Sequence, residues 1–127
     1  MTFVDTNVVM YAVGGPHPLR EKAREVFRTA LREGTPLCTS AEVLQELLHV
    51  YLAADRLPTL DAALELVERA IPTVWSVEPD DVRLARTLAD RHPALSARDL
   101  LHRACCVRRE VGAVRTFDRG LAAAFGG

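Results

Sequence analysis

Four acids, Asp5, Glu46, Asp99 and Asp118, are the residues whose types and placement could do chemistry. Asp5 follows the apolar run Thr2-Phe3-Val4, and Asp118 closes Val114-Arg115-Thr116-Phe117. Glu46 lies in a helical pattern after Leu37-Cys38-Thr39, and Asp99 stands three residues beyond Ser96. In a parallel α/β fold the carboxyl ends of the strands share one sheet edge, where ligands bind. Acids far apart in sequence can therefore meet in one cleft. Carboxylates gathered this way repel each other unless a divalent cation neutralises them. The chemistry they suggest is metal-assisted hydrolysis, in which a cation activates water and stabilises developing charge.

Each acid also has a local structural reading. Asp5 can cap the helix that follows it, as Asp does well. Ser96-Ala97-Arg98-Asp99 fits a capping box, in which the acid returns a hydrogen bond to its cap. Asp118 can cap a closing turn. Thr39-Ser40-Ala41-Glu42 is a further capping-box pattern, which accounts for Glu42 and leaves Glu46 without such a role. Glu46 shares a polar stripe with Glu42, Gln45 and His49, and stripes of that kind are usually solvated. The four acids are more telling together than singly, because they occupy equivalent places in the chain.

The elements that must position them follow from apolar spacing. Short runs at Thr2–Val4, Leu37–Thr39, Thr73–Val77 and Val114–Phe117 read as strands. Between them come a short helix or turn over Thr6–Val13 and a helix carrying Leu19, Ala23, Val26, Phe27, Ala30 and Leu31, stopped at Gly34. A helix over Ala41–Ala54 and another marked by Leu60, Leu64, Val67 and Ile71 follow. Pro79-Asp80-Asp81 suits a helix start, with Pro in the first turn and negative charge at the positive end of the dipole. Ser96–Val111 is the next helix, and Gly120–Phe125 a last helical turn. Strands alternating with helices imply right-handed crossovers and a mostly parallel sheet of four to five strands, covered on both faces. The fold class expected is a single three-layer α/β/α domain over residues 1–127.

The 127 residues carry a net charge of −1, which argues against a nonspecific nucleic-acid coat while allowing local phosphate contact. Arg98, Arg103, Arg108, Arg109, Arg115 and Arg119 concentrate in the final third, where they serve either phosphate or a solvated face. A first strand at residue 2 leaves no room for a signal peptide, and no apolar stretch has membrane-span length. The expected location is the cytoplasm. Cys38, Cys105 and Cys106 lack metal-site spacing and read as buried thiols. His102, one turn after Asp99, could approach the cleft, but a helix-surface position is the stronger reading. His17, between Pro16 and Pro18, belongs to a loop, and His49 and His92 have no partner at ligand spacing.

No Gly-rich phosphate loop with Lys-Ser/Thr is present, which excludes a P-loop NTPase. A phospho-acceptor receiver would need a Lys near the last strand, yet the single Lys is Lys22. A haloacid-dehalogenase-like phosphatase would need an acid where Asn7 stands. The residues do resemble one known family. Phe3-Val4-Asp5-Thr6-Asn7, Val43-Leu44-Gln45-Glu46-Leu47, Leu95 to His102 and Thr116-Phe117-Asp118-Arg119 are similar to the four motifs of the PIN domain, in order and spacing. The closest likeness is to VapC-type ribonuclease toxins. It implies Mg2+ or Mn2+ held by Asp5, Asp99 and Asp118, with Glu46 as ligand or outer acid. Thr6, Asn7 and Thr116 match positions that orient the site or the attacking water. The implied substrate is single-stranded RNA. The implied partners are a small antitoxin entering the acidic cleft and a second copy of the chain. A catalytically silent PIN-like binding module is the competing reading. The chain ends soon after Asp118, so a terminal fifth strand would be short or absent.

Overall fold

The computed structural model describes residues 1–126. The elements are β1 (Thr2–Val4), α1 (Thr6–Val13), α2 (Arg20–Glu33), β2 (Leu37–Ser40), α3 (Ala41–Ala53), α4 (Leu57–Ala70), β3 (Thr73–Trp75), α5 (Pro79–Leu88), α6 (Ala97–Arg108), β4 (Ala113–Arg115) and α7 (Arg119–Gly126). The expected alternation of strand and helix holds throughout. Gly34 ends α2 in the left-handed conformation, φ 68°, which glycine adopts without Cβ strain. Differences lie at element ends. β3 stops at Trp75, β4 stops at Arg115, and α6 ends at Arg108 rather than Val111. Gly127, within the domain expected over 1–127, lies outside the described residues.

Among the described residues the sheet has four strands in the order β3-β2-β1-β4, and every pairing is parallel. Thr2 registers with Leu37 on one side and Ala113 on the other, so the carboxyl ends of β1 and β4 finish level. Right-handed crossovers then dictate the layers. The chain steps from β1 to β2 to β3 in one direction, which puts α1 to α4 on one face. It returns past β1 to reach β4, which puts α5 and α6 on the other. The architecture is three-layer α/β/α.

Burial follows this plan. Phe3, Val4, Val8, Val9, Cys38, Val43, Leu47 and Ala63 form the centre of the main core, and Ala85, Leu88, Leu100 and Ala104 seal α5 against α6. A second fastening joins those two helices. Asp81, fully buried, accepts from Arg108 Nη1 at 2.8 Å and Arg109 Nη1 at 2.8 Å. It also closes a capping box with Glu78. Arg109 lies over the Trp75 ring, 5.0 Å from its centroid. The acid expected to complement a helix dipole is thus a buried ionic anchor. All three cysteines are buried and unpaired. No helix among the described residues is long and apolar enough to cross a membrane.

Candidate active site

The order β3-β2-β1-β4 places its reversal between β1 and β4. Ligand crevices of open α/β sheets form outside the carboxyl ends at such a reversal. Two loops meet there, one leading into α1 and one leading into α7. Asp5 N donates to Arg115 O at 3.0 Å, which carries the β1–β4 ladder one residue past Val4 and sets Asp5 beside Thr116. Thr116 Oγ1 donates to Asp5 Oδ2 at 2.6 Å, while Thr6 N donates to Asp5 Oδ1 at 2.8 Å. Asn7 closes the junction from both ends. Its Nδ2 donates to Thr116 Oγ1 at 3.3 Å and its Oδ1 accepts from Phe117 N at 3.2 Å.

Glu46 arrives from α3. Its polar stripe splits: Gln45 and His49 face solvent, whereas Glu46 is buried. The second capping box is absent. Ser40, not Thr39, caps α3 without a side-chain hydrogen bond, and Thr39 Oγ1 donates to Val4 O at 2.9 Å. Thr39 therefore fastens β2 to β1, and Glu42 has no such cap to serve. His102 overturns the surface expectation. It is 1% exposed, packed against Phe3 at 5.3 Å between ring centroids, and its Nε2 lies 2.9 Å from Glu46 Oε1 and 3.7 Å from Asp5 Oδ1. Burial raises the Glu46 pKa, but the His102 hydrogen bond and charge outweigh it, and the net direction is down. Thr6 and Arg98 add smaller pulls the same way. The Thr6 hydroxyl itself is buried without a partner at hydrogen-bonding geometry.

Asp99 and Asp118 complete the set. Ser96 Oγ accepts from Asp99 N at 3.2 Å, yet the returning half of the capping box is missing, so the Asp99 carboxylate is left to the cleft. Asp118 does both jobs. Its Oδ1 caps α7 by accepting from Leu121 N at 3.0 Å, and its side chain lines the cleft. Asp5, Glu46, Asp99 and Asp118 share this opening of about 260 Å³ with Thr6, Asn7 and Arg98. Burial, together with the charges of Asp5, Asp118 and Glu46, holds the Asp99 carboxyl above its ordinary value, against the opposing pull of His102. The acids are near enough to repel. Among the described residues no three acid, His or Cys side chains close into a compact ligand set. The carboxylates line a shared cleft without forming a tight cage.

A hard divalent cation suits such residues. It takes oxygen donors, tolerates an open set filled by water, and relieves the repulsion felt at Asp99. The orphaned Thr6 hydroxyl adds a polar group free to meet a bound water. Two of the arginines considered for phosphate contact are committed elsewhere, since Arg108 and Arg109 hold Asp81 and Glu78. Arg103 lies over the Phe125 ring. Arg98 is exposed and lines the cleft, the placement phosphate contact requires. The neighbouring pocket, which shares Asn7, Met10 and Val50 with the cleft, presents Arg56.

Comparison with known proteins places this geometry in context. Residues 2–125 match the family described as PIN domain. The chain is 58% identical over 125 residues to Ribonuclease VapC23 of Mycobacterium tuberculosis, covering 98% of each chain. It is 38% identical over 120 residues to Ribonuclease VapC13 of the same species, covering 94% of this chain and 92% of the relative. Among solved structures, Mycobacterium tuberculosis VapC20, described as a sarcin-ricin loop cleaving toxin, superposes with a TM-score of 0.77 at 21% identity, covering 98% of this chain and 95% of that one. Rickettsia felis VapBC2, bound to a DNA fragment from its promoter, gives a TM-score of 0.66 at 16% identity, covering 92% and 86%. At those identities the two structures speak for the fold.

Proposed function

The chain belongs to the PIN-domain family, on its VapC side, and from that premise we propose that it is a divalent-metal-dependent endoribonuclease toxin held in check by a cognate antitoxin. The observation that carries the reading is that four acids from four separate segments line one cleft at the β1–β4 reversal. The relatives named as ribonucleases supply the reaction class.

Asp5, Asp99 and Asp118 would hold Mg2+ or Mn2+, with Glu46 as a further ligand or as the acid behind them. The cation supplies Lewis acidity, which makes water a competent nucleophile near neutral pH and offsets charge developing on the phosphodiester. The chain's own groups do the positioning. Thr116 and the Thr6 amide fix the Asp5 carboxylate, and Asn7 ties the two loops so that Asp5 and Asp118 keep their separation. The free Thr6 hydroxyl orients water against the acids. Arg98 receives a phosphate of a single-stranded RNA segment, whose backbone would otherwise be repelled by the cleft.

The antitoxin reading draws on the VapBC2 complex among the structural neighbours. A cationic side chain from such a partner can pair with the carboxylates and compete with the metal. The protein is further read as one domain across 1–127, acting in the cytoplasm as a homodimer. The direct test is RNA cleavage by antitoxin-free protein in Mg2+ or Mn2+, with EDTA and Asp5→Asn as controls. Cleavage that needs the cation and the acid supports the reading; equal activity in Asp5→Asn, or indifference to EDTA, removes it.

A further inference from the structure

His102 has no part in the chemistry described so far, yet it is among the most enclosed polar side chains of the molecule. From α6 its ring packs against Phe3 of β1 and turns Nε2 to the acids Glu46 and Asp5. Nδ1 is buried and has no partner. The carboxylate oxygens that face Nε2 can only accept, so a hydrogen bond there needs the proton on Nε2. The neutral ring therefore keeps its proton on Nε2, facing Glu46 Oε1 at 2.9 Å and Asp5 Oδ1 at 3.7 Å. A doubly protonated ring also carries a proton on Nε2. The donor is present in either charge state.

The two acids depend on this donor unequally. Asp5 has a hydrogen bond at each oxygen without it, from Thr6 N and Thr116 Oγ1. Glu46 is a longer side chain in mid-helix, and the His102 contact is its one hydrogen bond of good geometry among the described residues. That contact occupies Oε1 of a residue that also lines the cleft.

We propose that His102 is a positioning residue, whose Nε2–H fixes the Glu46 carboxylate relative to Asp5 and so sets the geometry in which the cleft takes its cation. The inference rests on the metal-nuclease reading above. It assigns His102 the role that outer partners of metal ligands play elsewhere, where their loss typically weakens metal binding 10–100-fold.

The test compares two variants by Mn2+ binding without RNA, with cleavage kinetics in parallel. His102→Leu keeps an apolar ring-sized volume and removes the donor. His102→Gln can place an amide N–H where Nε2 lies. His102→Leu is expected to bind Mn2+ roughly 10–100-fold more weakly, with the loss in cleavage falling on kcat rather than KM. His102→Gln is expected to regain most of both. Mn2+ affinity and kcat unchanged in His102→Leu would overturn the proposal, and so would His102→Gln as impaired as His102→Leu, since packing alone would then explain the residue. If near-ultraviolet circular dichroism shows that His102→Leu does not fold, His102→Asn replaces it. Its shorter amide matches Nδ1 rather than Nε2, so it is expected to bind Mn2+ as weakly, and wild-type affinity in it overturns the proposal. Wild-type protein that takes no Mn2+ removes the metal reading together with this inference. Tight binding unaltered by the variants removes this inference alone.

Discussion

The Thr116 hydroxyl donates to the Asp5 carboxylate at 2.6 Å across 111 positions of sequence, and this bond ties together the two loops that bound the cleft. The same oxygen accepts from Asp118 N at 3.0 Å and from Asn7 Nδ2 at 3.3 Å. One side chain thus orders an acid on each side of the sheet reversal.

Thr116→Val keeps the β-branched shape and removes these bonds. The expected cost to stability is about 1–2 kcal/mol, because Asp5 and the Asp118 amide each lose a partner. RNA cleavage is expected to fall further than that loss of folded protein explains. Denaturant unfolding and kcat measured on one preparation check the pair. Full activity in Thr116→Val would show that the loop junction does not govern the acids.

Asp99→Asn separates stability from function. In metal-free protein the substitution removes a half-buried charge that its neighbours repel, so the melting temperature is expected to rise by about 2–5 °C at neutral pH. Saturating Mg2+ should stabilise the wild type by mass action and leave the variant almost unmoved. Differential scanning calorimetry with and without the cation reads both effects. A lower metal-free Tm in Asp99→Asn would mean that the carboxylate is a structural group.

Asp81 is expected to contribute to the pH dependence of stability in acid. Burial alone would raise its pKa, but Arg109, the Glu78 amide and Arg108 hold it well below the usual carboxylate range. A depressed folded value means that the stabilisation is complete above the unfolded value, near pH 4, and is lost as pH falls through the folded one. Asp81→Asn is expected to cost about 3 kcal/mol at pH 7, toward the low end for a broken buried pair because both guanidinium groups keep some contact with water. The gap should narrow steadily below pH 4. Urea midpoints for both proteins across pH 2–7 decide it, and a constant gap contradicts the ionic assignment.

Arg98→Ala and Arg109→Ala should have opposite consequences. Loss of Arg98, exposed at the cleft, is expected to weaken RNA binding and reduce its salt slope by about one, with stability unchanged. Loss of Arg109, which grips Asp81, Cys105 O and Ser76 O, is expected to destabilise the fold first. Fluorescence anisotropy in the Asp5→Asn background, where cleavage is expected to be blocked, measures the binding. Equal effects on affinity would return Arg109 to the RNA face.

Much of this was legible in the chain. Apolar runs and stops such as Gly34 marked the elements. Asp5 and Asp118 were visible because each follows a strand and Asp99 because it opens a helix, whereas Glu46 stood out as a mid-helix acid with no capping role. Their gathering required the strand order, which no local pattern encodes. His102 escaped because a helical His looks the same whether it meets water or a partner 56 positions away. Thr39 misled in the same way: a capping-box signature cannot reveal that its hydroxyl is taken by Val4 O. The late arginines read as one basic group until buried Asp81 claimed two of them. In each case tertiary contact chose between chemically equivalent local options.

The cleft at the β1–β4 reversal is proposed to hold a divalent cation between Asp5, Asp99 and Asp118. Anomalous diffraction from crystals of antitoxin-free protein grown with Mn2+ addresses it directly. The expected result is a peak in that cleft at carboxylate coordination distance, lost in crystals of Asp99→Asn. Density for Mn2+ only outside the cleft, or a cleft peak indifferent to Asp99→Asn, would contradict it.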